Sequence, residues 1–173
     1  IDLTADFSRR YNEEKRRRNS ADFSDQEHEA IRLLIGEDGA PTELARIVSA
    51  RYREIMVDEY QDTNEVQNAI FRAVSREGKN LFTVGDVKQS IYRFRQARPE
   101  LFNSKYEAYG CDPEMGQRID LHQNFRSREM VLASANFLFD KVMQKCLGGI
   151  VYDEAASLVP GAAFPENEHR TAG

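Results

Sequence analysis

Tryptophan is absent from this chain, and cysteine and proline are scarce, with two and five among 173 residues. Cys111 and Cys146 follow no Cys-x-x-Cys spacing, and His28, His122 and His169 join them in no metal-ligand pattern, which excludes a zinc ribbon or finger. Two free thiols in a reducing, cytoplasmic setting are the expected state. No apolar run approaches the length of a membrane-spanning helix, and residues 1–18 lack the apolar core of a secretory signal. No internal repeat is visible. Positive charge is also in deficit. A net charge of −5 argues against an electrostatic grip on nucleic acid by the whole surface, although Lys88, Arg93, Arg95 and Arg98 fall close together. The chain has enough apolar residues to bury a core of one or two modest domains. It starts without Met, as expected of a piece of something longer.

Apolar residues recur at helical spacing from Leu3 to Arg18 and from Asp25 to Ile35, with Ser24 or Asp25 placed to cap the second helix. The basic run Arg16-Arg17-Arg18 reads as a solvated helix end. Gly36 and Gly39-Ala40-Pro41 break the pattern, and Thr42 caps a third helix to about Tyr52. Ile55 to Val57 is short and β-branched, hence a strand. Thr63 or Asn64 then caps a helix carrying Val66, Ile70 and Val74, and Leu81 to Val84 is a second strand. Strand, helix, strand predicts a parallel, right-handed unit. Pro99 opens a helix to about Tyr109, Arg118 to Leu121 reads as a third strand, and Ser127 caps a long helix to about Leu147. The Gly-, Pro- and charge-rich remainder is expected as loop or partly disordered tail. The fold class is therefore α/β, a parallel sheet flanked by helices behind an N-terminal helical segment.

Asp58 and Glu59 end the first predicted strand. Two adjacent carboxylates at the carboxyl edge of a parallel sheet sit where ligands bind in open α/β folds. There one acid can hold Mg²⁺ while the other orients or deprotonates a water. The same pattern also suits a core strand that meets a solvated loop. Gly85 is expected to let the backbone turn sharply after the second strand. Tyr92 and Phe94, interleaved with Arg93 and Arg95, form the aromatic and basic mixture that stacks single-stranded bases without reading them, though aromatics after a strand are more often core. Gln61 is read equally as a loop cap or as a coupling residue.

Three segments in order, Asp58-Glu59-Tyr60-Gln61-Asp62, Gly85-Asp86-Val87-Lys88-Gln89 through Ala97, and Gln123-Asn124-Phe125-Arg126, resemble motifs II, III and IV of the UvrD/Rep/PcrA group of superfamily 1 DNA helicases. The run Phe94-Arg95-Gln96-Ala97-Arg98-Pro99, with Gln in place of the usual Gly of Arg-Gly-Ala, and the Asp22-Phe23-Ser24-Asp25 lead-in resemble the AddA (RexA) subunits of ATP-dependent helicase-nucleases. The resemblance implies part of a RecA-like P-loop NTPase motor using ATP and Mg²⁺. It makes Asp58 and Glu59 the metal and water residues, Gln89 a γ-phosphate sensor and Arg126 an arginine finger. It puts Gln61, Gly85, Asp86 and Phe125 around the nucleotide, Phe125 stacking on adenine, and Tyr92, Phe94 and Arg95 on DNA. The partners it implies are single- and double-stranded DNA and a second subunit of the AddB/RexB type, with no membrane.

On the same resemblance, residues 1–48 are the end of a helical insertion, 49–122 the second half of the first motor domain, 123–150 the start of the next, and 151–173 a tail. The family's phosphate loop, Gly-x-x-x-x-Gly-Lys-[Ser/Thr], has no counterpart: the Gly78-Lys79 pair is followed by Asn80 and lies downstream of Asp58. The chain by itself is therefore expected to be inactive, a part of an ATP-dependent helicase that unwinds broken DNA ends ahead of recombinational repair. The alternatives are a non-catalytic helicase-like module that binds single-stranded DNA or a repair partner, and a UvrD-like helicase without a nuclease domain.

Overall fold

The computed structural model describes residues 2–76, 78–144, 152–154 and 156–165. Contacts divide the chain into two compact units, 1–112 and 113–173.

In the first unit, α1 (Leu3–Arg17) starts at Asp2, whose carboxylate accepts the N–H groups of Thr4 and Ala5. The helix buries no residue and is tied to its successor by Lys15, whose ammonium lies 3.0 Å from Asp22 and 2.7 Å from Asp25. The next helix, α2 (Phe23–Leu34), is capped by Asp22 and not by Ser24 or Asp25. Asp22 accepts the Asp25 N–H at 2.9 Å, and Asp25 returns the contact from its side chain, a reciprocal box that satisfies two otherwise orphaned donors. The helix consequently starts earlier than its apolar spacing indicates. Thr42 caps α3 (Glu43–Arg51) as expected, and Asn64 caps α4 (Glu65–Val74) in a second box with Gln67. Gln67 also donates to Glu27 at 2.8 Å, which fastens α4 to α2.

The strands β1 (Ile55–Val57) and β2 (Leu81–Thr83) pair in parallel, with Ile55 opposite Leu81 and Val57 opposite Thr83, on either side of α4. Alternation along the strands leaves Ile55, Val57, Leu81 and Thr83 half-buried and turns Met56 and Phe82 outward. Both strands end at the same edge of this sheet. Pro99, with its missing N–H, opens α5 (Pro99–Cys111).

The second unit corrects three expectations. Arg118–Leu121 is not a strand; the pairing segment is β3 (Gln123–Asn124), which pairs in parallel with β4 (Val159–Pro160). A strand requires a ladder partner, and among the described residues Gln123–Asn124 finds one in Val159–Pro160. The predicted tail thus contributes a strand within its described residues. The helix α6 (Glu129–Val142) begins after Arg128, so Ser127 is not its cap, and it ends before Met143. Ser127 spends its N–H on Asn124 instead. Leu132 is the buried residue of α6, and Asn136 fixes the later segment by accepting from Tyr152 Oη at 2.7 Å and donating to the Leu158 carbonyl at 3.0 Å. The predicted end of that helix at Leu147 lies outside the described residues.

Candidate active site

β1 delivers Asp58 and Glu59 to the sheet edge, where both are exposed. Asp58 Oδ1 accepts the Glu59 N–H at 2.9 Å. Glu59 is left-handed, with φ 49° and ψ 40°, a conformation that costs a residue with a Cβ roughly 1–2 kcal/mol. What holds it there is the next residue. Tyr60 has no exposed surface, its hydroxyl donates to Asn68 Oδ1 at 2.6 Å, and its ring packs on Phe102. Burial pushes the Tyr60 phenol up to about 12. The Lys105 ammonium sits 4.2 Å from the centre of the same ring, and its desolvation, with Arg72 nearby, pushes it down to about 8. Asp62 follows with one carboxylate oxygen buried and without a partner among the described residues; desolvation, and then Glu59, push its pKa up. Lys105, Phe102 and Asn68 carry no sequence signal that marks them as support for this turn, because they meet Tyr60 only once the chain is folded.

β2 ends at Gly85 and Asp86. The Asp86 carboxylate caps the turn Val87–Gln89: it accepts the Lys88 N–H at 3.0 Å, lies 3.1 Å from Lys88 Nζ, and accepts from Gln89 Nε2 at 3.0 Å. Gln61, which is 1% exposed, joins the two strand ends, donating from Nε2 to Glu59 at 2.6 Å and accepting the Asp86 N–H on Oε1 at 2.9 Å. Gly85 is not left-handed; it is needed because a Cβ there would lie 2.6 Å from Gln61 Oε1 and 3.1 Å from the Phe102 ring. Close approach, and not the expected sharp turn, is its reason. The first unit therefore brings Asp58, Glu59, Gln61, Gly85, Asp86 and Gln89 into one cluster.

Beyond it the turn Arg93–Arg95 displays Tyr92 and Phe94, rings 5.8 Å apart, with the Arg95 guanidinium 5.2 Å and 5.6 Å from their centres. Phe94 is 77% exposed. Gln96 takes a left-handed φ of 63°, and the buried Ala97 anchors the loop. Arg93 and Arg98 both pair with Glu100, at 2.9 Å and 3.4 Å. A cavity of about 480 Å³ opens between these residues and Asn64, Glu65 and Val66.

In the second unit Asn124 Oδ1 accepts the N–H groups of Arg126 and Ser127, each at 2.9 Å, and so shapes the turn that carries Arg126. Phe125 is 64% exposed and lies over Gly161, where a Cβ would come within 2.8 Å of the ring. Among the described residues no group of three or more His, Cys, Asp or Glu is arranged to hold a metal. No helix among them is long and apolar enough to cross a membrane.

Two parallel strands on either side of a helix, ending in adjacent acids and a capped polar turn, define an α/β unit. In agreement, residues 2–110 match the model of the UvrD/REP helicase N-terminal domain, and the chain belongs to that family. Its curated relatives include the A-type subunits of bacterial ATP-dependent helicase/nucleases. It is 52% identical over 171 residues to the one from Staphylococcus saprophyticus, 51% over 170 to that of Staphylococcus carnosus and 47% over 171 to that of Staphylococcus aureus. Each comparison covers 96% of this chain and 14% of the relative, so the chain spans about one seventh of the proteins it matches.

Proposed function

We propose that this chain is the acid and sensor segment of an AddA-like protein of a helicase-nuclease, within a RecA-like motor that couples ATP hydrolysis to movement along single-stranded DNA and to unwinding ahead of recombinational repair. The observation that carries the reading is the junction of the two strand ends, where Glu59 and Gln89 belong to one hydrogen-bonded cluster through Gln61 and Asp86. The donor set suits Mg²⁺, which keeps several waters and takes one or two carboxylates beside the phosphates of its substrate. Asp58, exposed at the sheet edge, would hold it, with Glu59 beside it. Bound there, the ion would neutralise charge on the transferring phosphoryl group.

Glu59 acts as the base for the attacking water, and Gln89 senses the γ-phosphate with an amide that does not compete with the ion for charge. In the same reading Arg126 supplies the arginine finger and Phe125 stacks on adenine. Tyr92, Phe94 and Arg95 hold single-stranded DNA by stacking and cation–π attraction. A second subunit completes the cytoplasmic enzyme.

A second reading, a non-catalytic module that binds single-stranded DNA, is favoured by the exposure of Phe94 under Arg95. Mg²⁺-dependent ATP hydrolysis separates the two. The chain by itself is expected to be silent with and without DNA, while the full-length protein that carries it hydrolyses ATP and loses turnover, but not ATP binding, on Glu59→Gln. Normal turnover in that variant would remove the general-base assignment, and a full-length protein without ATPase activity would favour the module.

A further inference from the structure

Gln61 is fully enclosed, and both ends of its amide are engaged by neighbouring protein groups. Its orientation is dictated by those neighbours. A carboxylate only accepts and a backbone N–H only donates, so Nε2 must face Glu59, at 2.6 Å, and Oε1 must face Asp86 N–H, at 2.9 Å. Both atoms belong to one rigid plane. A movement of either partner therefore tilts the plane against the other. Asp86 in turn accepts the Gln89 amide at 3.0 Å, which extends the connection to the turn beyond β2. The fit is close enough to exclude a side chain at position 85, where a Cβ would lie 2.6 Å from Gln61 Oε1.

We propose that Gln61 is a positioning residue that orients the Glu59 carboxylate and ties it to the turn carrying Gln89, so that acid and sensor shift as one body. The inference rests on the reading of Glu59 as the base of a nucleotide-hydrolysis site. A glutamate at this position distinguishes positioning from mere filling of space. Ionised, it can accept from Asp86 N–H but cannot donate to Glu59, and it places a second negative charge at hydrogen-bond distance. Protonated, it restores both contacts.

The test is steady-state ATP hydrolysis by the full-length protein that carries this segment, with saturating oligothymidylate and Mg²⁺, for Glu59→Gln, Gln61→Ala and Gln61→Glu. Gln61→Ala is expected to lower kcat roughly 10- to 100-fold, the usual effect of losing a group that orients a reacting one, with KM for ATP within about threefold. Gln61→Glu, which keeps the volume but cannot donate to Glu59 when ionised, is expected to be slower still, with KM for ATP again within about threefold. An unchanged kcat in Gln61→Ala overturns the inference. So does a Gln61→Glu protein that turns over at the unsubstituted rate, since a space-filling role is kept by a side chain of the same volume. Should Gln61→Ala fail to fold, Gln61→Glu preserves the volume and decides by the same comparison of rates. Normal turnover in Glu59→Gln removes the underlying reading; a silent Glu59→Gln beside a normal Gln61→Ala removes the positioning role alone.

Discussion

Replacing Gly85 by alanine adds one methyl group at the most crowded backbone position of the strand-end cluster. The new Cβ would lie 2.6 Å from Gln61 Oε1 and 3.1 Å from the Phe102 ring, well inside contact distance, and Gln61 has 1% of its surface exposed and no room to retreat. Either the amide moves and gives up the Asp86 N–H, or the end of β2 moves off the amide. Overpacking of this kind costs roughly 1–3 kcal/mol, and a buried amide left without a partner costs roughly a further 1–3 kcal/mol. A total of about 3 kcal/mol lowers the Tm of a chain of this size by roughly 6–12 °C. Thermal unfolding followed by circular dichroism reads this directly. A double-mutant cycle assigns the cause, because in a Gln61→Ala background the nearest clash is gone and the cost of Gly85→Ala should shrink by at least about 1 kcal/mol. A Tm within about 2 °C of the original, or strictly additive effects, would refute the account of Gly85 as a close-approach residue.

Three further outcomes are expected. Asn64→Ala removes the cap of α4 and half of its box with Gln67, and should cost about 1 kcal/mol in urea unfolding. Lys105→Met keeps the unbranched stem and removes an ammonium whose pKa burial has lowered from 10.5 to about 8. The full shift corresponds to roughly 3 kcal/mol, which the partial exposure of the amine and its attraction to the Tyr60 ring reduce to about 1 kcal/mol of expected gain at pH 7. The unfolded chain holds that proton to higher pH than the folded one, so the penalty is complete below about 8 and fades as the pH rises towards 10.5; the advantage of Lys105→Met should fade with it, and a variant less stable at pH 7 would contradict this. Asp22 runs the opposite way. The Asp25 N–H and then Lys15 hold its carboxylate down to about 2, so its contribution is present above its ordinary 3.8 and lost as the pH falls through about 2. Acid unfolding of the α1 and α2 pair should therefore shift to higher pH in Lys15→Met.

Local chemistry is legible in the sequence wherever a single segment decides the outcome. The caps at Thr42 and Asn64 and Pro99 at the start of α5 follow from residues within a turn or two of each other, and the parallel pairing around α4 follows from the order strand, helix, strand. The cap at Asp22 is harder to read, because Asp, Ser and Asp stand within four positions and each can cap; only the reciprocal contact with Asp25 chooses between them. Arg118–Leu121 has the composition of a strand but no ladder partner among the described residues, and strand formation is a property of pairs. At the site the adjacent acids at the end of the first strand can be read from the sequence, but their support cannot. Tyr60, Phe102 and Lys105 come together through a buried ring contact, and the need for Gly85 arises from Gln61, far away in the chain.

The left-handed backbone at Glu59 and Gln96 has a consequence for anyone breeding a hardier form of this protein. Glycine is at ease in that conformation and a residue with a Cβ is not, so glycine at either position would relieve backbone strain. The first change would delete a carboxylate and the second a side chain that lines the cavity beside Arg93 and Arg98. At Glu59 that relief is set against the carboxylate itself, which accepts from the buried Gln61 amide at 2.6 Å, so the strained backbone and the contact it places are kept or lost together.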